Sequence, residues 1–386
     1  MRNICLILLF SFLIVFADQF GENPADTASL FPDRSAEDII AYNDSLVSEF
    51  YLSATLKTDS LCQVFFKDNR PGASVAVIQN GLFLHKEGYG LAHISPKQLI
   101  QPDTKFLLAS VSKQFTAMAV MILEEAGKIS YDDTIDKYFP HVPDRWKSIT
   151  IEHLLTHTSG IPDRFYVIGY AEGYVNSQIL DRLISNSWLD FTPGRRHKYS
   201  NSGYNVLSMI IEQVSGMPFR EFMRINIFEP LEMYDTLVYD ETEPDLGERA
   251  IAYWPLRRGY RPNDFLLYTS GASGIYSNIE DLYKWDQALY TEKLVSAETL
   301  ERAFSPHARV SSRENYGYGW RLSNGDGVNA VYHTGTLGGI HNILFRVPDE
   351  NFSVIILSNT KLNSRHWLVR KITEFYHPGM TDKLNF

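Results

Sequence analysis

Cysteine is nearly absent from this chain. Of 386 residues, only Cys5 and Cys62 carry a thiol. Loss of the N-terminal segment that holds Cys5 would leave Cys62 alone, with no internal disulfide possible, so the protein must stand on its apolar core. One thiol also cannot build a thiolate metal centre. Positive charge is in deficit: 36 Lys and Arg stand against 46 Asp and Glu, a formal net charge of -10. Nucleic-acid binding needs a basic surface to neutralise phosphates, so this balance argues against such a partner. Long apolar runs are missing outside the extreme N-terminus, and there is no internal repeat, low-complexity tract or block of like charge. What remains is an ordinary globular composition, 44% hydrophobic and 21% charged, long enough to bury a substantial core.

The chain opens MRNICLILLFSFLIVFA: a short region with Arg2, an apolar run over residues 4–16, small Ala17, then polar residues. That is the layout of a secretory signal peptide over residues 1–17, and it predicts export to the periplasm or the medium. The run is short for a membrane span, so membrane association is expected only if this segment stays uncleaved as an anchor. Residues 18–34 are polar with Gly21, Pro24 and Pro32 and read as a leader; residues 36–66 have helical spacing. The expected organisation is therefore 1–17 signal peptide, 18–66 leader and N-terminal helix, and 67–386 one functional domain.

Residues 73–79 read as a strand, Asn80-Gly81 as a tight turn, and Leu82 as the start of the return strand. SVSKQFTAMAVMILEEAG, residues 110–127, keeps helical spacing and is apolar all round in its middle, which predicts a central buried helix ending at Gly127. YNVLSMIIEQVSG, residues 204–216, reads as another helix. GYGWRL, AVYHTG, NILFRV and FSVIILSN return to strand patterns, and a last helix is expected over about 363–376. Strands at both ends with helices between them predict an α/β (α+β) fold. Its mainly antiparallel sheet would join the N- and C-terminal strands, with flanking helices and a helical middle.

Three short patterns carry chemistry, and each occurs twice. Ser-x-x-Lys falls at Ser110/Lys113 and Ser358/Lys361, Tyr-x-Asn at Tyr199/Asn201 and Tyr174/Asn176, His-x-Gly at His333/Gly335 and His377/Gly379. Setting separates the copies. Ser110 opens the most buried helix, where free N–H groups favour negative charge, and Lys113 shares its face. A lysine with a lowered pKa can take a serine proton; a capping serine beside an exposed lysine would fit the same residues. Tyr199 and Asn201 follow the Pro193-Gly194 turn. In an extended segment both would face one way; Asn201 or Ser202 would also serve as a cap for a helix starting near Gly203. His333-Thr334-Gly335 closes a strand, where glycine would let a ligand approach and a backbone N–H would meet an oxyanion.

The surviving patterns, in the order Ser-x-x-Lys, Tyr-x-Asn, His-x-Gly, resemble the serine beta-lactamase and penicillin-binding-protein superfamily. The closest branch is class C beta-lactamases with the related D-alanyl-D-alanine carboxypeptidases and esterases. ITIEHLLTHTSGI, TPGRRHKYSNSGYN, GASGIYSNIEDLYKWDQAL and YGYGW are similar too, so the resemblance covers about residues 70–360. It implies an acyl-enzyme on Ser110, with Lys113 and Tyr199 sharing the proton traffic and either one as base. Asn201 would position substrate and Lys113. His333, Thr334, Gly335 and Thr336 would line the substrate strand, and the N–H groups of Ser110 and Thr336 would hold the oxyanion. No metal or organic cofactor is implied; the expected partner is a small ester, a D-amino-acid peptide or a beta-lactam-like molecule. The resemblance has Lys-Thr-Gly where this chain has His333-Thr334-Gly335. That exchanges a fixed cation for a weaker, pH-dependent charge and turns the expectation from beta-lactams toward esters and amides.

Two other readings belong beside this one. His153 and His157 are four apart, as helical metal ligands can be, but HLLTH lacks the internal glutamate of the zinc-hydrolase motif. A catalytically silent member that binds a peptide or cell-wall fragment would keep the fold without the chemistry. Parts of 160–190 and 235–270 are the expected specificity loops.

Overall fold

The computed structural model describes residues 36–163, 173–240, 246–264, 266, 268–325 and 327–384. The expected signal peptide, the leader and part of each expected specificity loop lie outside the described residues. The chain divides into two compact units, residues 1–56 and 57–386. That boundary falls inside the N-terminal helix. Helix α1 runs Ala36–Phe65.

The large unit is organised by one eight-stranded sheet. Its strands are β1 Ala73–Gln79, β2 Leu82–Tyr89, β3 Ala308–Arg309, β4 Glu314–Tyr316, β5 Arg321–Asn324, β6 Asn329–Leu337, β7 Ile340–Val347 and β8 Phe352–Ser358. Every neighbouring pair is antiparallel, in the order β3-β4-β5-β6-β7-β8-β1-β2. The N-terminal hairpin is thus added beside the last strand, in the register Ala73↔Ser358 to Gln79↔Phe352. The hairpin turns as expected, with φ of 49° at Asn80 and 74° at Gly81, the positive pair that matches strand twist. β1, β7 and β8 are buried along their whole length. Their largely apolar sequence follows from cover on both faces rather than one, and the polar residues among them, such as Arg346 and Asn342, are buried with partners.

Among the described residues its α-helices are α2 Ser112–Glu125, α3 Ile151–Leu155, α4 Asn176–Asn186, α5 Asn201–Ser215, α6 Phe219–Met223, α7 Ile279–Ala288, α8 Ala297–Ala303 and α9 Arg365–Tyr376. α2 is the central one: eleven of its fourteen residues are buried, in a core shared with α3, α5 and α7. A side chain on every face of such a helix must be apolar or find a partner, which is why its one lysine matters below.

Three expectations change in detail. The 110–127 pattern begins as a 3-10 turn over Ala109–Val111 before the α-helix proper. The 204–216 helix starts earlier, at Asn201. GYGWRL is not a single strand: residues 317–320 make the connection between β4 and β5, because Gly317 and Gly319 interrupt the pattern and Gly319 has φ of 79°.

Candidate active site

The turn that presents Ser110 is held from two sides. On the sheet side, Asn342 of β7 donates its amide to the Leu107 carbonyl, 2.8 Å. Gly335 of β6 lies flat against the same segment: a Cβ there would sit 2.2 Å from the Leu108 carbonyl oxygen. On the other side, Leu108 donates its N–H to the Ile275 carbonyl, and the Ile275 N–H donates to Ser112 Oγ. Ala109, buried between them, has φ of 51°, a conformation that costs an alanine roughly 1 kcal/mol and persists only where its surroundings impose it. Ser110 follows, half-buried, at the mouth of α2.

Lys113 is fully buried. Its Nζ lies 3.2 Å from Ser110 Oγ, 2.8 Å from Asn201 Oδ1 and 2.8 Å from the Ala272 carbonyl oxygen. Two of these partners can only accept: a carbonyl, and an amide oxygen whose own NH2 group is turned the other way. They fix two N–H directions, so the remaining direction points at Ser110 Oγ. An ammonium fills it with a donor and a free amine fills it with a lone pair; the geometry suits proton transfer either way. The nitrogen also sits 4.9 Å from the Tyr199 ring centre and 5.5 Å from that of Tyr204, ring faces that favour a cation.

Asn201 is the first residue of α5 rather than part of an extended run with Tyr199. Neither it nor Ser202 caps the helix with its side chain; the N-cap is Ser200, which makes no side-chain cap bond. The Asn201 N–H and Nδ2 both donate to Asp163 Oδ2, at 2.8 Å each. Tyr199 precedes the helix, half-buried against Lys113.

β6 runs past its expected end at Gly335 to Leu337. It is an inner strand only as far as Tyr332, the last residue paired with β5; from His333 onward only β7 pairs with it among the described residues. The Gly335 gap is filled by the Leu108 backbone, so the glycine admits the turn that carries Ser110 rather than a ligand. Thr334 is half-buried and Thr336 exposed. His333 is 1% exposed. Its Nδ1 lies 2.8 Å from the Thr334 carbonyl oxygen and its Nε2 3.0 Å from Tyr316 Oη. A carbonyl cannot donate, so Nδ1 carries the proton and Nε2 accepts from the tyrosine. Burial, with Arg321 and Lys113 nearby, holds this imidazole well below its ordinary pKa against the opposing pull of Thr334. The pH-dependent charge expected at this position is therefore absent near neutral pH.

The sequence reading did not place Asp163, His157, Tyr204, Tyr316 or the Ala272 carbonyl in this site. His157, weighed only as a metal ligand, is fully buried with φ of 58°. Its Nδ1 accepts from the Ser200 N–H, 3.2 Å, and its ring lies 4.3 Å from Tyr199, 4.6 Å from Tyr316 and 5.1 Å from Tyr204. Burial first, then the Lys113 charge, holds it neutral. His153 takes the glutamate's part in a capping box: Thr150 Oγ1 accepts from the His153 N–H, and His153 Nδ1 accepts from the Thr150 N–H. Most of these residues lie in stretches already singled out by resemblance, THTSGI, YSNSGYN and YGYGW, where motif context was the available signal. Of the rival copies, Ser358 Oγ donates to the Gly72 carbonyl, Asn176 bonds to Ser208 and Ser270, and His377 follows α9.

A fold with this sheet and buried helix, and a serine paired with a buried lysine, are the arrangement of a serine hydrolase of the beta-lactamase and penicillin-binding-protein superfamily. The Beta-lactamase family model matches residues 53–372, and the chain belongs to that family. A penicillin-binding protein of Bacillus subtilis is 32% identical over 316 residues, 76% of this chain and 69% of that protein. Protein flp of Staphylococcus aureus is 27% identical over 321 residues, 80% of this chain and 62% of the relative. Among solved structures, the octameric penicillin-binding protein homologue from Pyrococcus abyssi superposes with a TM-score of 0.73 at 26% identity, covering 89% of this chain and 79% of that one.

Proposed function

We propose that this protein is an exported serine hydrolase that forms an acyl-enzyme on Ser110 and hydrolyses an ester or amide, such as a small ester or a D-amino-acid peptide. The observation that carries the reading is the fully buried Lys113 amine, 3.2 Å from Ser110 Oγ and held there by two fixed acceptors. Ser110 Oγ attacks the carbonyl carbon as its proton passes to Lys113 Nζ or Tyr199 Oη. The oxyanion that forms is met by the N–H groups of Ser110 and Thr336, at the free edge of β6 beside the nucleophile turn. Collapse expels an alcohol or amine, which takes the proton, and water then releases the acid and restores Ser110. Asn201 has a second amide hydrogen beyond the one given to Asp163, which would meet the bound acyl group, and Thr334 and Thr336 lie on the stretch of β6 beyond His333. A neutral His333 in place of a lysine favours substrates that need no fixed cation at that point, which sets esters and amides above beta-lactams.

Intact mass after exposure to a fluorophosphonate, with Ser110→Ala alongside, tests the assignment. One adduct on the natural protein and none on Ser110→Ala is the expected result. An adduct on both would place the nucleophile elsewhere, and none on either would leave a silent binding protein. A panel of short-chain nitrophenyl esters, D-amino-acid amides and a chromogenic cephalosporin then ranks the substrates, with the cephalosporin expected last.

A further inference from the structure

Asn201 can hold Lys113 only while its amide keeps one orientation, and the group that decides this orientation is Asp163. Asp163 lies on the segment that follows α3, and it is 6% exposed. A carboxylate has acceptors and no donor, so its Oδ2 requires N–H groups; it receives two, from the Asn201 backbone and from Nδ2. With Nδ2 committed there, Oδ1 must face the other way, onto Lys113 Nζ. The flipped amide would set oxygen against carboxylate and NH2 against the amine, two like-pole contacts in a dry interior. The links run Asp163 to Asn201 at 2.8 Å, Asn201 to Lys113 at 2.8 Å and Lys113 to Ser110 at 3.2 Å.

We propose that Asp163 is a positioning residue of the hydrolytic site: through the amide of Asn201 it holds the Lys113 amine on Ser110. Its link to Ser110 runs through Asn201 and Lys113. The proposal rests on the reading of Ser110 as nucleophile. Asp163 also supplies the acceptor that Ser200 does not give the first N–H of α5, so the test must separate aim from simple stability.

The experiment follows fluorophosphonate labelling of the full chain, reading the rate constant at saturating probe, the half-saturating concentration and the thermal midpoint. Asp163→Ala is expected to lower the saturating rate about 100-fold with the half-saturating concentration within about twofold, because aim rather than probe binding is lost. Asp163→Asn, which keeps an acceptor of the same shape, is expected to lose less than about tenfold. Added formate, which fits the space left by the carboxylate, restores part of the rate of Asp163→Ala. The decisive readout is the cycle with Asn201→Ala. If Asp163 acts through that amide, either Asp163 substitution costs almost nothing further in the Asn201→Ala background. Additive losses, or an Asp163→Ala rate within about threefold of the natural protein, overturn the proposal. Should Asp163→Ala fail to fold, the Asp163→Asn cycle decides the question alone. Labelling of Ser110→Ala would instead remove the nucleophile assignment beneath it; a silent Ser110→Ala with unaffected Asp163 variants would remove this inference only.

Discussion

The loop after α3 and strand β6 each bury one histidine at the site, and the two rings are held in opposite tautomers. His157 faces a backbone N–H, that of Ser200, and must accept at Nδ1, which puts its proton on Nε2. His333 faces a backbone carbonyl, that of Thr334, and must donate from Nδ1, leaving Nε2 to accept from Tyr316. Both are kept neutral by burial beside Lys113 and Arg321. The main chain beside each ring therefore decides what the ring does, and neither supplies the cation that a histidine in a motif invites one to expect. The same contrast runs through the two sides of the Ser110 turn, a helical wall and a strand wall. On the helical side the proposed chemistry is in side chains pinned by other side chains: Lys113, Asn201, Asp163. On the strand wall it is in the backbone, brought close by a residue with no side chain, Gly335.

If that division is right, substitutions should hurt the two walls in different ways. Lys113→Met removes the pinned amine itself and should lower the labelling rate constant about 1000-fold or more. A loss below tenfold would move the burden to Tyr199. On the strand wall the largest effect should come from adding atoms rather than removing them. A Cβ at Gly335 meets the Leu108 carbonyl at 2.2 Å, so Gly335→Ala should push β6 off the nucleophile turn. The expected cost is about 1–3 kcal/mol in stability and about 100-fold in rate, read by melting and labelling.

His157 sharpens the comparison further. His157→Leu leaves the Ser200 N–H buried without an acceptor, at about 1–3 kcal/mol. Asparagine offers an acceptor near the Nδ1 position and tolerates the φ of 58°, so His157→Asn should unfold at a higher denaturant midpoint than His157→Leu. Equal midpoints would mean that the ring's packing, not its tautomer, is what counts.

Acid should act on the protein through its buried rings. His85, His197, His341, His366 and His377 are each lowered to about 4, burial being the first cause. In the unfolded chain histidines titrate near ~6.5. Between these values the unfolded chain binds more protons than the folded one, so stability is full above the upper value and is lost as pH falls through the lower. Melts from pH 7 to 4 should show this decline, and His85→Gln should reduce the slope by at most about 1.4 kcal/mol per pH unit. A flat profile would mean that these rings are wetter than the packing shows. The smallest effect expected is that of Thr336→Ala. Its side chain is exposed and its proposed contribution is a backbone N–H, so labelling should stay within about threefold. A large loss there would break the division between side-chain and backbone walls.

Much of this molecule was legible in its residues before any coordinates. The Asn80-Gly81 hairpin, the apolar central helix and the alternation or continuity of the C-terminal strands are local patterns, and local patterns report local structure. The pairing of Ser110 with Lys113 was legible for the same reason: three residues along a helix face is a distance the backbone sets. What sequence distance could not supply was everything that reaches Lys113 from elsewhere. Ala272 lies 159 positions away and Asn201 88 positions away, and nothing in the spacing of an asparagine or an aspartate tells which amide end will meet which charge. The histidine at position 333 was visible, but its charge was not. Charge depends on burial, on two arginines and a lysine brought in by other elements, and on a carbonyl one residue along its own strand. The sequence by itself determined which chemical groups the protein possesses and which of them ride on helices and strands. Only the tertiary structure decided which groups are dry, which way each amide and imidazole faces, and hence which of them can move a proton, because hydrogen-bond direction and desolvation are properties of neighbours rather than of residues.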